Sequence, residues 1–119
     1  MAKKILVVDD SRIIRRVLTG TLQEAGYEIA GEAANGEEAL EQLKTVTPDL
    51  VTLDITMPIM DGLETLSHIR EEYPDLKVIM ISAAGQKNKV IQALKDGALD
   101  FIRKPFEKDE MLEVIAKHI

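Results

Sequence analysis

The stretch Leu50-Val51-Thr52-Leu53-Asp54 decides how this chain is read: an apolar run of strand length that ends in a carboxylate. Three other runs share the plan. Ile5-Leu6-Val7-Val8 leads into Asp9-Asp10, Val78-Ile79-Met80-Ile81 into Ser82, and Phe101-Ile102-Arg103 into Lys104-Pro105. The three longer runs are nearly continuous in Ile, Leu, Val and Met, which suits strands covered on both faces. In open α/β sheets, ligands and reacting groups collect at the carboxyl ends of the strands. Three carboxylates, one hydroxyl and one ammonium at that edge make a place for a divalent cation and a phosphoryl group.

Working outward, strand-like runs alternate five times with stretches of helical period. The expected strands are Lys4–Val8, Glu28–Ala33, Leu50–Asp54, Lys77–Ser82 and Asp100–Arg103. Ser11 can cap the first helix, whose stripe is Ile14, Leu18 and Leu22 flanked by Ile13 and Val17, with Gly26 as its left-handed stop. Asn35 with Glu38, and Asp61 with Glu64, have capping-box spacing for the second and third helices. Leu63, Leu66 and Ile69 are expected inside from the third, and Val90, Ile91 and Leu94 from the fourth, which stops at Gly97. The last helix carries acids at its start and Lys117 near its end, with Met111, Leu112 and Ile115 inward. Five βα units joined by right-handed crossovers predict an α/β fold, a single doubly wound five-stranded parallel sheet flanked by five helices. One domain over residues 1–119 is expected, since no linker, repeat or low-complexity tract interrupts the pattern.

Bulk properties narrow the function. At 119 residues, 45% apolar and 30% charged, the chain can bury a core of ordinary size. A net charge of -6 and an aromatic content of 3% argue against a nucleic-acid surface. The absence of cysteine excludes disulfides and thiolate metal sites. No stretch is long enough to act as a signal peptide or to span a membrane, which points to the cytoplasm.

Carboxylates packed together in a crevice of low dielectric repel, and a cation or a proton must compensate. An all-oxygen site suits a hard ion, and Mg²⁺ fits better than Ca²⁺ because nothing has EF-hand spacing. Asp10 and Asp54 are the candidate direct ligands, Asp9 a direct or water-mediated one, and a backbone carbonyl near Thr56 completes the set. Asp54 can then act as nucleophile toward phosphorus, with Lys104 and the Ser82 hydroxyl holding phosphoryl oxygens. Taken singly, each feature has a plainer explanation: Asp10 as a helix cap, Ser82 and Lys104-Pro105 as turns. Asp61-Gly62 is expected only to start a helix, and His68 and His118 to sit on solvated surface.

With these residues in view, the chain resembles the receiver domain of bacterial response regulators, most closely single-domain chemotaxis regulators of the CheY type. The motifs are Val7-Val8-Asp9-Asp10-Ser11, Asp54-Ile55-Thr56-Met57-Pro58 through Asp61-Gly62, Ile81-Ser82-Ala83, and Asp100-Phe101-Ile102-Arg103-Lys104-Pro105-Phe106. The resemblance implies strand order 2-1-3-4-5 and a two-component phosphorelay in which Asp54 accepts phosphate from a sensor histidine kinase. It implies Mg²⁺ on Asp10 assisted by Asp9, Ser82 and Phe101 as switch residues, and Lys104 as the site lysine. A cis Lys104-Pro105 bond follows as well. Implied partners are an output protein such as a flagellar motor switch component and a phosphatase, with no nucleic acid or membrane, for a monomer. Phe101 lacks the hydroxyl that a tyrosine would carry.

Rival readings differ at single positions. A haloacid-dehalogenase-type phosphatase needs a second acid two residues after the nucleophile, where Thr56 stands. A pseudo-receiver would have lost site residues, and a flavin or nucleotide binder would carry a glycine-rich loop after the first strand. A receiver fragment of a larger regulator fits as well as a free-standing protein.

Overall fold

The computed structural model describes residues 2–119; Met1, the first residue of the expected domain, lies outside them. The elements run β1 (Lys4–Val8), α1 (Arg12–Glu24), β2 (Glu28–Ala33), α2 (Gly36–Leu43), β3 (Leu50–Asp54), α3 (Gly62–Glu72), β4 (Lys77–Ser82), α4 (Lys87–Lys95), β5 (Asp100–Arg103) and α5 (Lys108–His118). Every strand pair is parallel, and the order is β2-β1-β3-β4-β5. Strand spans and order match the expectation.

Alternation along the strands sorts the core into two layers. Ile5, Val7, Leu50, Ile79, Ile81 and Ile102 pack with Leu18 and Leu22 of α1 and Met111 and Ile115 of α5. Leu6, Val8, Val51, Leu53, Val78 and Met80 pack on the opposite face with residues of α2, α3 and α4. Both faces of the central strands are therefore dry, which explains their nearly unbroken apolar composition.

Local signals hold where they were read. Ser11 Oγ accepts from Ile14 N–H at 3.2 Å, Asn35 Oδ1 from Glu38 N–H at 3.0 Å and Asp61 Oδ1 from Glu64 N–H at 2.9 Å. Glu38 reaches back to Ala34 N–H at 3.0 Å, closing its box one residue before the cap. Gly26 and Gly97 have φ of 95° and 102°, the conformation expected at helix stops.

Three expectations change. In α4 the inward positions are Val90 and Ala93, while Ile91 and Leu94 are 42% and 40% exposed. The true stripe is narrower than the apolar composition suggests, because a small alanine takes the place a larger side chain was assigned. His118 is not solvated: its Nε2 lies 2.9 Å from Asp100 Oδ2, and both side chains are largely covered. The same carboxylate accepts from Phe101 N–H at 2.8 Å, so one aspartate ties the end of α5 to β5. His68 is likewise partly covered.

Candidate functional site

Adjacency of β1 and β3 brings the acids together. Val8 pairs with Leu53, so Asp9 and Asp54 leave neighbouring strands side by side. One carboxylate oxygen from each of Asp9, Asp10 and Asp54 lies within 4.8 Å of the others. Lys104, just past β5, reaches across to both buried acids: Nζ is 2.9 Å from Asp9 Oδ2 and 3.4 Å from Asp54 Oδ1. Asp9, Asp54 and Lys104 stay in step with the strand residues that face α1 and α5, so period-two alternation aims all three into one crevice.

Asp9 is fully buried and held at several atoms. Its N–H donates to Ala33 O at 3.0 Å and its Oδ1 accepts from Ser11 N–H at 2.9 Å. Its carbonyl accepts from Arg15 Nη1 at 2.7 Å, while Arg15 Nε stands 3.3 Å from Glu32 Oε1. Lys104 Nζ, at 2.9 Å, is the one group that holds Oδ2 among the described residues. Asp10 is exposed and Ser11 caps the helix, so Asp10 is free for other work.

Asp54 is almost fully buried. Burial first, then the charge of Asp9, push its pKa up to about 6, against the opposing pull of Lys104. For Lys104, burial disfavours the charge, but the hydrogen bond to Asp9 and the charge of Asp54 outweigh it and hold the pKa above the ordinary lysine value. The cluster thus carries more negative charge than one lysine neutralises. An all-oxygen donor set with a buried, under-coordinated Asp9 Oδ2 fits a hard divalent cation.

Lys104→Met is expected to cost about 2 kcal/mol at about pH 8 in chelator, because it leaves a buried acid pair uncompensated. Urea unfolding should show the deficit shrinking as pH falls toward about 6, because without Lys104 the Asp54 carboxylate takes up its proton at a higher pH than in the native chain. A deficit independent of pH would mean that packing, not charge, is lost.

The remaining expected residues frame the crevice. Ser82 is buried at the end of β4, one residue past Ile81, the partner of Asp54, and its carbonyl accepts from Lys104 N–H at 2.6 Å. The Lys104-Pro105 bond is cis, as the resemblance implied. Phe101 is partly exposed and lies with Ser82, Val90, Ile91 and Leu94 along a groove of about 430 Å³ between α4 and β5. Thr56 is exposed, and its hydroxyl accepts from Gln86 Nε2 at 2.6 Å.

The loop after β3 is tightly made. Met60 N–H donates to Pro58 O at 2.7 Å, a three-residue turn whose centre, Ile59, has φ of 70° and is 73% exposed. That conformation is strained for a β-branched residue. Gly62 N–H donates to Ile55 O at 2.7 Å, and Gly62 packs against the carbonyl of Asp54. Gly62 was expected only to start a helix, and Arg15 and Gln86 were not singled out from the sequence. A glycine in the first turn of a helix was a signal for Gly62, since it costs stability there without a reason. Arg15 and Gln86 gave no local signal.

Comparison with known proteins agrees with this geometry. A profile of the response regulator receiver domain matches residues 5–116. The chain is 47% identical over 117 residues to the chemotaxis protein CheY of Thermotoga maritima, covering 98% of both. Among solved structures it is similar to NtrX of Brucella abortus, with TM-score 0.94 and 38% identity over 99% of this chain and 27% of that one. It is also similar to CheY in the CheX-CheY-BeF3-Mg²⁺ complex of Borrelia burgdorferi, with TM-score 0.91 and 40% identity over 98% of this chain and 90% of that one. The match to the receiver profile, with strand order and acid cluster alike in place, makes this chain a member of the response regulator receiver domain family, a signalling switch.

Proposed function

We propose that this chain is a phosphorylation-activated switch of a two-component system of the chemotaxis type, one receiver domain over residues 1–119. The observation that supports it most is the Lys104 bridge between Asp9 and Asp54 in a cluster that still carries excess negative charge. In the proposed reaction a carboxylate oxygen of Asp54 attacks the phosphorus of a kinase phosphohistidine. The P–N bond breaks, the imidazole leaves, and an acyl phosphate forms on Asp54. Lys104 pairs with one phosphoryl oxygen and the Ser82 hydroxyl donates to another. Asp10, Asp54, a Thr56 carbonyl and Asp9, directly or through water, would hold Mg²⁺, which supplies charge neutralisation for carboxylates and phosphoryl oxygens.

Phosphorylation replaces one negative charge on Asp54 with nearly two and adds acceptor oxygens. Ser82 and Lys104 then have a reason to shift, and residues 83–88 and the groove to Phe101 give the shift a route. The chain is proposed to catalyse only its own phosphorylation and dephosphorylation. Its partners are a sensor histidine kinase, an output protein such as a flagellar motor switch component, and a phosphatase. Among the described residues no helix is long and apolar enough to cross a membrane. A cytoplasmic monomer is the proposed setting. The match to only 27% of an NtrX chain favours a second reading, in which such a receiver works inside a longer regulator.

Incubation with acetyl phosphate tests the core of this. Intact mass should show one added phosphoryl group with Mg²⁺ and almost none in chelator, and peptide mapping should place it on Asp54. Modification elsewhere, or modification indifferent to chelator, would overturn the assignment.

A further inference from the structure

We propose that Gln86 is a latch that holds the unphosphorylated conformation and is displaced when Asp54 carries a phosphoryl group; the inference rests on the phosphoacceptor reading above. Gln86 sits at the head of α4, where its carbonyl accepts from Val90 N–H at 3.0 Å, yet its side chain makes no capping bond. The amide is used elsewhere. Its Oε1 accepts from Ala83 N–H at 2.7 Å, and its Nε2 donates to Thr56 Oγ1 at 2.6 Å.

Those two contacts join the loops on either side of the crevice. Thr56 lies two residues past Asp54, and Ala83 directly follows Ser82. The neighbouring backbone link, Ile55 N–H to Ile81 O at 3.1 Å, extends the sheet itself and has no reason to open. The Gln86 amide is neutral and lies near solvent, so its bonds are the weak members of the set.

A phosphoryl group on Asp54 competes with Gln86 Oε1 for the Ala83 N–H. Hydrogen bonds to a charged oxygen are roughly twice as strong as those to an amide oxygen. The Ala83 N–H, directly after Ser82, therefore favours the phosphoryl oxygens over Gln86 Oε1, and the Gln86 amide is left with only its bond to Thr56 Oγ1. Displacing the amide untethers the first turn of α4 and lets Ser82 and Ala83 follow the phosphate. The latch sets how much of the phosphoryl affinity is spent on opening.

Beryllofluoride with Mg²⁺, a stable phosphoryl mimic, tests this on the intact chain. In the native protein the Gln86 side-chain NH₂ and Ala83 amide resonances should move on saturation, with the Gln86 pair shifting to solvent-like positions. Gln86→Ala should bind beryllofluoride about tenfold more tightly, the combined worth of two neutral hydrogen bonds. Thr56→Val should bind a few-fold more tightly, and the double variant no better than Gln86→Ala. Mg²⁺ affinity without beryllofluoride should not change in Gln86→Ala. A native chain that binds beryllofluoride with Gln86 unmoved removes the latch alone, as does an unchanged or weaker affinity in Gln86→Ala. A gain matched by Mg²⁺ alone does the same. Failure of the native chain to bind beryllofluoride removes the latch and the phosphoacceptor reading together.

Discussion

Asp54→Asn is expected to end Mg²⁺-dependent phosphorylation altogether and yet make the metal-free fold more stable, by about 2–3 kcal/mol at about pH 8. The first effect follows from the loss of the nucleophile. The second follows from where the carboxylate titrates. In the unfolded chain Asp54 releases its proton near the ordinary value of 3.8, but in the fold, burial and the charge of Asp9 hold the proton until about 6. The folded state therefore binds more protons between those values. The stability that Asp54 contributes is complete below about pH 4 and is lost as pH rises through about 6. Each unit of displacement corresponds to about 1.4 kcal/mol. Asparagine cannot ionise, so it escapes the loss. Urea unfolding in chelator should give curves that coincide near pH 4, diverge to about pH 6 and run parallel above it. Mg²⁺ should close the gap by stabilising the native protein only. A variant less stable than the native chain at high pH would show that Asp54 is held by favourable contacts, not tolerated against repulsion.

Gly62→Ala is expected to cost about 3 kcal/mol or more and to slow modification of Asp54 at least about tenfold, although alanine is the better helix former. Two effects of opposite sign compete. Helix propensity favours alanine by roughly 1 kcal/mol. Against it, an added Cβ would overlap the carbonyl oxygen of Asp54 and stand 2.8 Å from Ile55 Cα. Both are backbone atoms and cannot swing aside, and the 2.7 Å bond from Gly62 N–H to Ile55 O prevents the helix from backing away. Overpacking wins. The chain carries its own control. Around Gly20, within α1, a Cβ would meet nothing within 4 Å, so Gly20→Ala should be stabilising by roughly 1 kcal/mol. Thermal unfolding of the two variants should move in opposite directions, and a Gly62→Ala protein as stable as Gly20→Ala would refute the steric account.

Most of the fold was legible because its signals are local or periodic. Runs such as Ile5–Val8 declare strands covered on both faces, and the Asn35/Glu38 and Asp61/Glu64 spacings declare helix starts. The misassigned side chains, Ile91, Leu94 and His118, share one cause: each depends on what another element offers. Ala93 fits against the sheet where a larger residue was expected, and Asp100 lies within reach of α5 only after folding. In the site, Asp9, Asp10, Asp54 and Lys104 were readable because strand ends were their common address. Strand order came from family resemblance, since several orders satisfy the same periodicity. The functions of Gly62, Arg15 and Gln86 were hidden because packing against a carbonyl, gripping the Asp9 backbone and joining two loops are relations between distant segments. They have no sequence period.

Lys104 follows β5, almost the whole chain away from Asp9. While a ribosome is still making this protein, the early aspartates exist without their counter-charge. A nascent chain ending before the last strand has the proposed acceptor but not the cation that steadies it. In the proposed switch, competence to receive a phosphoryl group therefore comes only after β5 and Lys104 have been made, and copies that stop short of them stay silent.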